Sequence, residues 1–366
     1  MAPDSIGTQI TTIVVAVVLV VLTATLWERP RGWLAWVLRP LALTLCLLTA
    51  LAAGGVAVNR EVEVYTTWSA LFGKAPGEAA TPTDEQAPGD ALQPVLDAPR
   101  SASGSRVVSF TVTGKASGIT LQAFAYLPPG YDQEPLNGQR LPVIEALSGF
   151  PGSPQTWLKA LEAPKILDEE ITSGRMAPTV VVFPYQVLSN THDTECVNEV
   201  NGIQMDTFLT TDVPEAVRRL FRVRTDPGGW GLIGYSAGAF CAVNLALRHP
   251  DKYSAAASLS GYFRAITDKT TGDLYKGNQD ARNQNSPLWR VQNLPIPRVA
   301  LYLAAAKDDT FEYKELEQFV AVTRSPLRVT TQSLPQGGHT RKVWKALEAP
   351  AFDWLSSWLS APVPIS

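Results

Sequence analysis

The sequence predicts an α/β fold on a mostly parallel sheet covered on both faces, preceded by two helices long enough to cross a membrane. Three observations carry this. From Val107 onward, short and nearly continuous apolar runs alternate with helix-period runs, the pattern of strands buried on both faces of a parallel sheet. Within that region Gly234-Tyr235-Ser236-Ala237-Gly238 stands between a strand pattern and a helix pattern. Ahead of it, two uncharged apolar runs, about residues 10–27 and 41–58, each approach the roughly 20 residues that span a bilayer.

The first sixty residues read as a membrane anchor. Glu28-Arg29-Pro30-Arg31-Gly32-Trp33 separates the two runs, and Arg39 lies close by. Positive charge in a short loop places that loop in the cytoplasm and both ends of the hairpin outside. Trp27, Trp33 and Trp36 suit the membrane interface. Nothing basic precedes the first run, which argues against a removable signal there; Ala50-Leu51-Ala52 leaves a cleavage-like sequence in the second. Retention of both helices is the expectation, and on either reading the rest of the chain faces the extracytoplasmic side. Residues 61–104 turn rich in Pro, Gly, Ala, Asp and Glu, a composition that cannot bury a core and reads as a flexible linker.

Residues 105–366 form the α/β domain. The expected strands are 107–113 and 119–126, as an opening antiparallel pair, then buried strands at 141–147, 179–184, 230–235, 255–259, 299–304 and 329–334. Helices are expected near 155–170, 213–221, 237–248, 313–323 and 342–359. About 260 residues suffice for one such domain with a sizeable core. The polar stretch from Gly261 to Trp289 reads as an insertion overhanging the strand ends, where ligands bind on such sheets.

Strand, sharp turn, helix is the context in which a G-x-S-x-G serine becomes a nucleophile. Ser236 is that candidate. A serine needs a base, and the chain has three histidines. His249 ends the helix after Ser236 and suits a helix C-terminus. His192 lies in a polar loop. His339, in Gln336-Gly337-Gly338-His339, follows the last strand, where the base of a Ser–acid–His order belongs. The acid should close the preceding strand, where Lys307-Asp308-Asp309 stands; Asp309 is favoured, with Asp308 the runner-up, and Glu312 and Glu315 read as first-turn helix carboxylates. Two backbone N–H groups should face the developing oxyanion: Ala237, after the nucleophile, and Phe150, in Ser148-Gly149-Phe150-Pro151 after an early strand. Cys196 and Cys241 are the only cysteines of this region and outside the cytoplasm could be bridged beside the site. Two unlinked thiols, with Cys241 as core filling, is the competing reading.

On these residues the chain resembles a group of esterases with the α/β-hydrolase fold. Leu147-Ser148-Gly149-Phe150, Gly234-Tyr235-Ser236-Ala237-Gly238, Asp309 and Gly337-Gly338-His339 are similar to that group, which includes esterase D (S-formylglutathione hydrolase) and mycolyltransferases of the antigen 85 type. Phe208 to Pro214 is similar to a helix start of the mycolyltransferases. The resemblance covers about residues 105–360. It implies a Ser–His–acid triad of Ser236, His339 and Asp309, an acyl-enzyme and ester substrates of lipid or cell-envelope origin, with hydrolysis or transfer to a sugar or lipid as the outcome. The mycolyltransferases differ in an acidic residue where Ser148 stands, a Glu as triad acid, and an aromatic residue closer to the histidine than Trp344 is to His339. Those differences bear on mycolyl transfer and not on acyl-ester chemistry.

Net charge is −3 with the charges interspersed, which gives no footprint for nucleic acid. No metal-ligand spacing and no Gly-rich phosphate loop stand out, so the expected enzyme needs no cofactor and no metal.

Overall fold

The computed structural model describes residues 3, 5–62, 68, 93–94, 103–189 and 191–365, in two compact units, 1–75 and 76–366. Most of the expected linker, residues 61–104, lies outside the described residues.

The first unit holds two long helices, α1 (Ile6–Leu26) and α2 (Trp33–Val62). Ser5 caps α1 by accepting from the Thr8 N–H, a short polar side chain replacing one missing helical acceptor. The helices run antiparallel, since Gln9 meets Arg60, Thr23 meets Cys46 and the Trp27 carbonyl accepts from Arg39. Both have the length and apolarity to cross a membrane, with mean hydropathy 2.4 and 2.2 over their most apolar windows. The second helix starts earlier than the apolar run suggests. It begins at Trp33, so Arg39 is on the helix with its guanidinium over the Trp27 ring.

The second unit is a nine-stranded sheet flanked by helices. Its strands are β1 (Gln93–Pro94), β2 (Arg106–Thr113), β3 (Thr120–Leu127), β5 (Val143–Leu147), β6 (Val180–Pro184), β7 (Trp230–Tyr235), β8 (Ala255–Leu259), β9 (Ala300–Ala306) and β10 (Arg328–Leu334). The spatial order is β1-β2-β3-β6-β5-β7-β8-β9-β10. A separate pair joins β4 (Gln139–Arg140) to β11 (Val363–Pro364). From β1 through β2 and β3 to β6 each adjacent pair is antiparallel; from β6 to β10 in the spatial order each adjacent pair is parallel. Every residue of β5, β6, β7, β8 and β9 is buried, which explains their largely apolar sequences; Glu145 in β5 and Ser258 in β8 are the polar exceptions.

The helices of this unit are α3 (Ala163–Thr172), the single turn α4 (Met205–Thr207), α5 (Val213–Leu220), α6 (Ala237–Arg248), α7 (Gln279–Gln284), α8 (Pro287–Asn293), α9 (Thr310–Val322) and α10 (Arg341–Trp358). Helix α6 is buried along almost its whole length, as its lack of a polar face requires.

Two expectations are corrected. The last strand is not buried: β10 has no fully buried residue, because it is the sheet edge, and its Thr-rich alternation fits a surface with one partner. The helix expected near 155–170 is broken. A π-type turn covers Thr156–Ala160, and Glu162, with φ of 56°, redirects the chain before α3. The Phe208–Pro214 stretch is a π-type turn entering α5. There Asp212 accepts from the Ala116 and Ser117 N–H groups and pins the β2–β3 hairpin.

Candidate active site

The parallel strands converge on one rim, and β7 delivers Ser236 there. Ser236 has φ of 55° and ψ of −125°, a conformation costing on the order of 1–3 kcal/mol for a residue with a side chain. The flanking glycines make the turn possible. A Cβ on Gly234 would lie 2.0 Å from the Gly238 carbonyl oxygen, and one on Gly238 would lie 2.3 Å from that of Leu147. The spacing of the pentapeptide thus answers to backbone packed on backbone.

The loop after β5 closes against this turn. A Cβ on Gly149 would come within 2.9 Å of the Ser236 Cβ. Gln186, just past β6, holds that loop with both ends of its amide. Its Oε1 accepts from the Ser148 N–H at 2.8 Å, and its Nε2 donates to the Ser148 carbonyl at 2.7 Å. Gln186 is buried beside the Cys196–Cys241 bridge. The structure joins those two cysteines, with Cα atoms 5.6 Å apart. Ala237, the first residue of α6, follows Ser236 directly, and Phe150 follows Gly149 on this loop. Neither backbone N–H donates to a turn, loop or cap carbonyl among the described residues.

His339 reaches the serine from the loop after β10. Its Nε2 lies 2.8 Å from Ser236 Oγ and its Nδ1 lies 2.8 Å from Asp309 Oδ2. Asp309 caps the junction of β9 and α9 and is 5% exposed. Asp308 does something else. Its two oxygens accept the Gly337 and Gly338 N–H groups at 3.0 and 2.8 Å. Gly337 and Gly338 have φ of 141° and 62°, backbone that glycine adopts without penalty. One aspartate of the pair therefore faces the imidazole and its neighbour holds the loop that carries it.

Burial opposes ionisation of Asp309, but hydrogen bonds from His339, Glu312 and Ser260 outweigh it and hold the carboxyl below its ordinary value. For His339, burial disfavours the charged ring, while the Asp309 hydrogen bond and the negative charge of Glu312 and Asp309 raise its pKa overall. Glu312 is pushed up to about 7, first by burial and then by its hydrogen bond to Asp309. Asp309, Glu312 and His339 each place one potential metal-ligand atom within 4.8 Å of the others; those atoms already engage one another.

The other two histidines are used elsewhere. His249 Nε2 lies 2.8 Å from Asp206 Oδ1, and Arg248 pairs with the same carboxylate. His192 Nε2 lies 2.7 Å from Glu199 Oε1. The 261–289 stretch contains α7 and the start of α8 and is tied down by buried carboxylates. Glu315 accepts from the Phe263 N–H and pairs with Arg264, and Glu195 accepts from Tyr262 Oη and the Ile266 N–H.

Three contributors to the site are not assigned to it by the sequence reading, which gives Glu312 only as a first-turn helix carboxylate and Trp344 only as lying far from His339 along the chain. Gln186 is one, Glu312 another. The third is Trp344, whose ring meets His339 edge-on at 5.2 Å and stacks on Tyr235 at 4.6 Å. Trp344 lies one helical turn into α10, and only the packing of that helix over β7 brings it back to the histidine. For Glu312, the signal in sequence was its i+3 spacing from Asp309 across a helix start.

A mostly parallel sheet with this strand order, a strained serine at the tip of a central strand and a histidine on the loop after the last strand define the α/β-hydrolase class. Within that class the chain belongs to the Esterase family (described as "Putative esterase"), whose model matches residues 115–354. An uncharacterised protein of Corynebacterium glutamicum is 26% identical over 244 residues, 64% of this chain and 56% of that protein. The MPT51/MPB51 antigen of Mycobacterium tuberculosis is 35% identical over 78 residues, 21% of this chain and 25% of that one. The chain thus spans little more than half the length of the first relative and a quarter of the second. Among solved structures, a ferulic acid esterase superposes with a TM-score of 0.61 at 20% identity, over 70% of this chain and 99% of that one. An S-formylglutathione hydrolase from Agrobacterium tumefaciens gives 0.60 at 16% identity, over 71% and 98%. At those identities the likeness is one of fold.

Proposed function

We propose that this protein is a membrane-tethered serine esterase whose catalytic domain, residues 105–366, works on the extracytoplasmic side. The observation that carries the reading is the unbroken chain from Ser236 Oγ through the His339 ring to Asp309, with 2.8 Å at each step. Ser236 attacks the ester carbonyl as its proton passes to His339 Nε2. The imidazolium so formed is stabilised by Asp309. The carbonyl oxygen takes the negative charge and is met by the Phe150 and Ala237 N–H groups. The proton on Nε2 then goes to the departing alkoxide, which leaves as alcohol, and the acyl group stays on Ser236. A water, deprotonated by the same Nε2, releases the acid and restores the serine.

The location rests on α1 and α2 as a retained anchor of residues 1–60, and on the Arg-bearing loop between them staying in the cytoplasm. The Cys196–Cys241 bridge supports an oxidising compartment for the second unit. Substrates are expected among lipid or cell-envelope esters, because the anchor holds the site near such compounds. Acyl transfer to an envelope sugar or lipid is the second reading, favoured by the same anchor. It uses identical residues with an alcohol in place of the water.

The test is labelling of the intact protein with a fluorophosphonate alongside hydrolysis of short p-nitrophenyl esters. Wild-type protein is expected to be labelled on Ser236 and to turn over. Ser236→Ala is expected to lose both, with activity falling by about four orders of magnitude or more. Folded wild-type protein without label at Ser236 ends the proposal. Products formed with an added sugar or glycerolipid acceptor separate the readings: free acid alone supports hydrolysis, an acylated acceptor transfer.

A further inference from the structure

Asp309 is not the only carboxyl beside the Nδ1 edge of His339. Glu312, in the first turn of α9, has Oε1 3.6 Å from Nδ1, and its carboxyl also hydrogen-bonds Asp309. Resting on the esterase reading above, we propose that Glu312 is a positioning residue that adds a second, titratable negative charge to the His339–Asp309 pair and so sets the pH at which the base becomes available.

The geometry gives Glu312 two states with opposite effects. Protonated, it donates to Asp309 and draws charge away from the oxygen that holds His339. The imidazole is then a weaker base. Ionised, it stands as a second carboxylate near Nδ1 and favours the imidazolium that forms when Ser236 loses its proton. The groups that face it are few and come from three sides. Asp309, at the start of its own helix, opposes its ionisation. His339, from the loop after β10, favours it, as does its own backbone N–H. Ser260, after β8, hydrogen-bonds Asp309. The nearby carboxylate of Asp308 is occupied by the Gly337 and Gly338 N–H groups. Burial together with Asp309 brings the Glu312 transition up to about 7, within the range over which a histidine base titrates.

A helix-start carboxylate serving only the α9 dipole would be replaced by Gln with no effect on the histidine. A charge coupled to Nδ1 would not. The experiment compares kcat/KM for a short p-nitrophenyl ester from pH 5 to 9 in full-length wild type, Glu312→Gln and Glu312→Asp. Gln keeps the size and the N–H donor toward Asp309 while removing the charge. The acid limb, which reports deprotonation of His339 in the free enzyme, is expected to move down by about half to one pH unit in the Gln variant. That is the effect of one water-screened charge at this separation. It is expected to return toward the wild-type position in the Asp variant. Asp309→Asn is expected to retain several-fold more activity than Asp309→Asn combined with Glu312→Gln, because Glu312 can still orient the ring.

An acid limb unmoved in Glu312→Gln, or moved upward, overturns the inference. So does equal activity of Asp309→Asn and the double variant. Should the Gln variant not fold, the same limb is read in Glu312→Ala, and a wild-type position there overturns it equally. Fluorophosphonate labelling of Ser236 in each sample separates this from the esterase reading. Labelled protein with an unmoved limb defeats only the role of Glu312, whereas unlabelled wild type defeats the esterase reading itself.

Discussion

At the scale of the residue, the adjacent Asp308 and Asp309 have divided their work. Asp309 is expected to be the harsher loss. Asp309→Asn keeps the size but removes the charge and favours the wrong imidazole tautomer, and kcat is expected to fall by about 10³–10⁴-fold, less whatever Glu312 supplies. Asp308→Asn leaves one acceptor for the two glycine N–H groups. It is expected to lower kcat by about ten-fold or less with KM little changed, because the loop is loosened while the chemistry is intact. Steady-state kinetics of the two variants checks this, and the reverse ranking would make Asp308 the acid. Away from the site, Glu348 on α10 is fully buried and its carboxyl lacks a hydrogen-bond partner among the described residues. Burial pushes its pKa well above the ordinary carboxylate value. The sign follows: a carboxyl raised on folding stabilises at low pH, and that contribution fades as pH rises above the unfolded value, by at most about 1.4 kcal/mol per pH unit for one proton. Glu348→Gln is therefore expected to gain melting temperature relative to wild type at pH 8 more than at pH 4.5. Glu145 and Glu195, pushed up to about 8 by burial, slope the same way in both proteins and drop out of the comparison.

At the scale of the element, the junction of β7 and α6 combines a strained serine with backbone packed too closely for a side chain at Gly234 or Gly238. Gly234→Ala places a methyl where the Gly238 carbonyl stands, so backbone must move. A loss of about 3 kcal/mol or more is expected, read as a lower urea midpoint together with lost labelling of Ser236. The Cys196–Cys241 bridge joins α6 to the segment after β6 across 45 residues. Loop-closure entropy for that length is worth about 4 kcal/mol. Dithiothreitol, or Cys196→Ala with Cys241→Ala, is expected to lower the melting temperature. It should also lower activity, since Gln186 sits between the bridge and the Ser148 loop and would lose its fixed position. Unchanged melting under reduction would show that the segment is held without the bridge.

At the scale of the whole molecule, the question is which side of a membrane the second unit faces. The proposed orientation rests on Arg29 and Arg31, between α1 and α2, and on Arg39 near the start of α2; by the positive-inside rule it puts that loop in the cytoplasm and the second unit outside. In a Cys46→Ser background, Gly32→Cys is expected to react with a membrane-impermeant maleimide only after the cells are opened. Reaction in intact cells would reverse the orientation and place the disulfide on the wrong side. Extraction of the full chain only by detergent, not by carbonate or high salt, is expected for two retained spans.

Much of this protein is legible in its sequence because the signals are local. Largely apolar runs, interrupted only by Glu145 in β5 and Ser258 in β8, mark β5 to β9, since strands covered on both faces have no solvent side to show. Glycines at 234 and 238 mark the strained serine, since any side chain there would strike backbone. His339 follows from chain order, in a molecule with three histidines. What only the tertiary structure decides is how distant segments share one place. β10 stands in the alternation as one more strand, yet it ends the sheet; its Thr-rich sequence, with only Val329 and Leu334 apolar, suits that edge, but the number of partners it has is decided by the fold. Asp308 and Asp309 are chemically the same; the turn from β9 into α9 aims one at the imidazole and the other at the backbone of Gly337 and Gly338. Trp344, Gln186 and Glu312 join the site through packing of α10, of the segment after β6 and of α9. Those contacts are set by the three-dimensional closure of the sheet, which no spacing along the chain encodes.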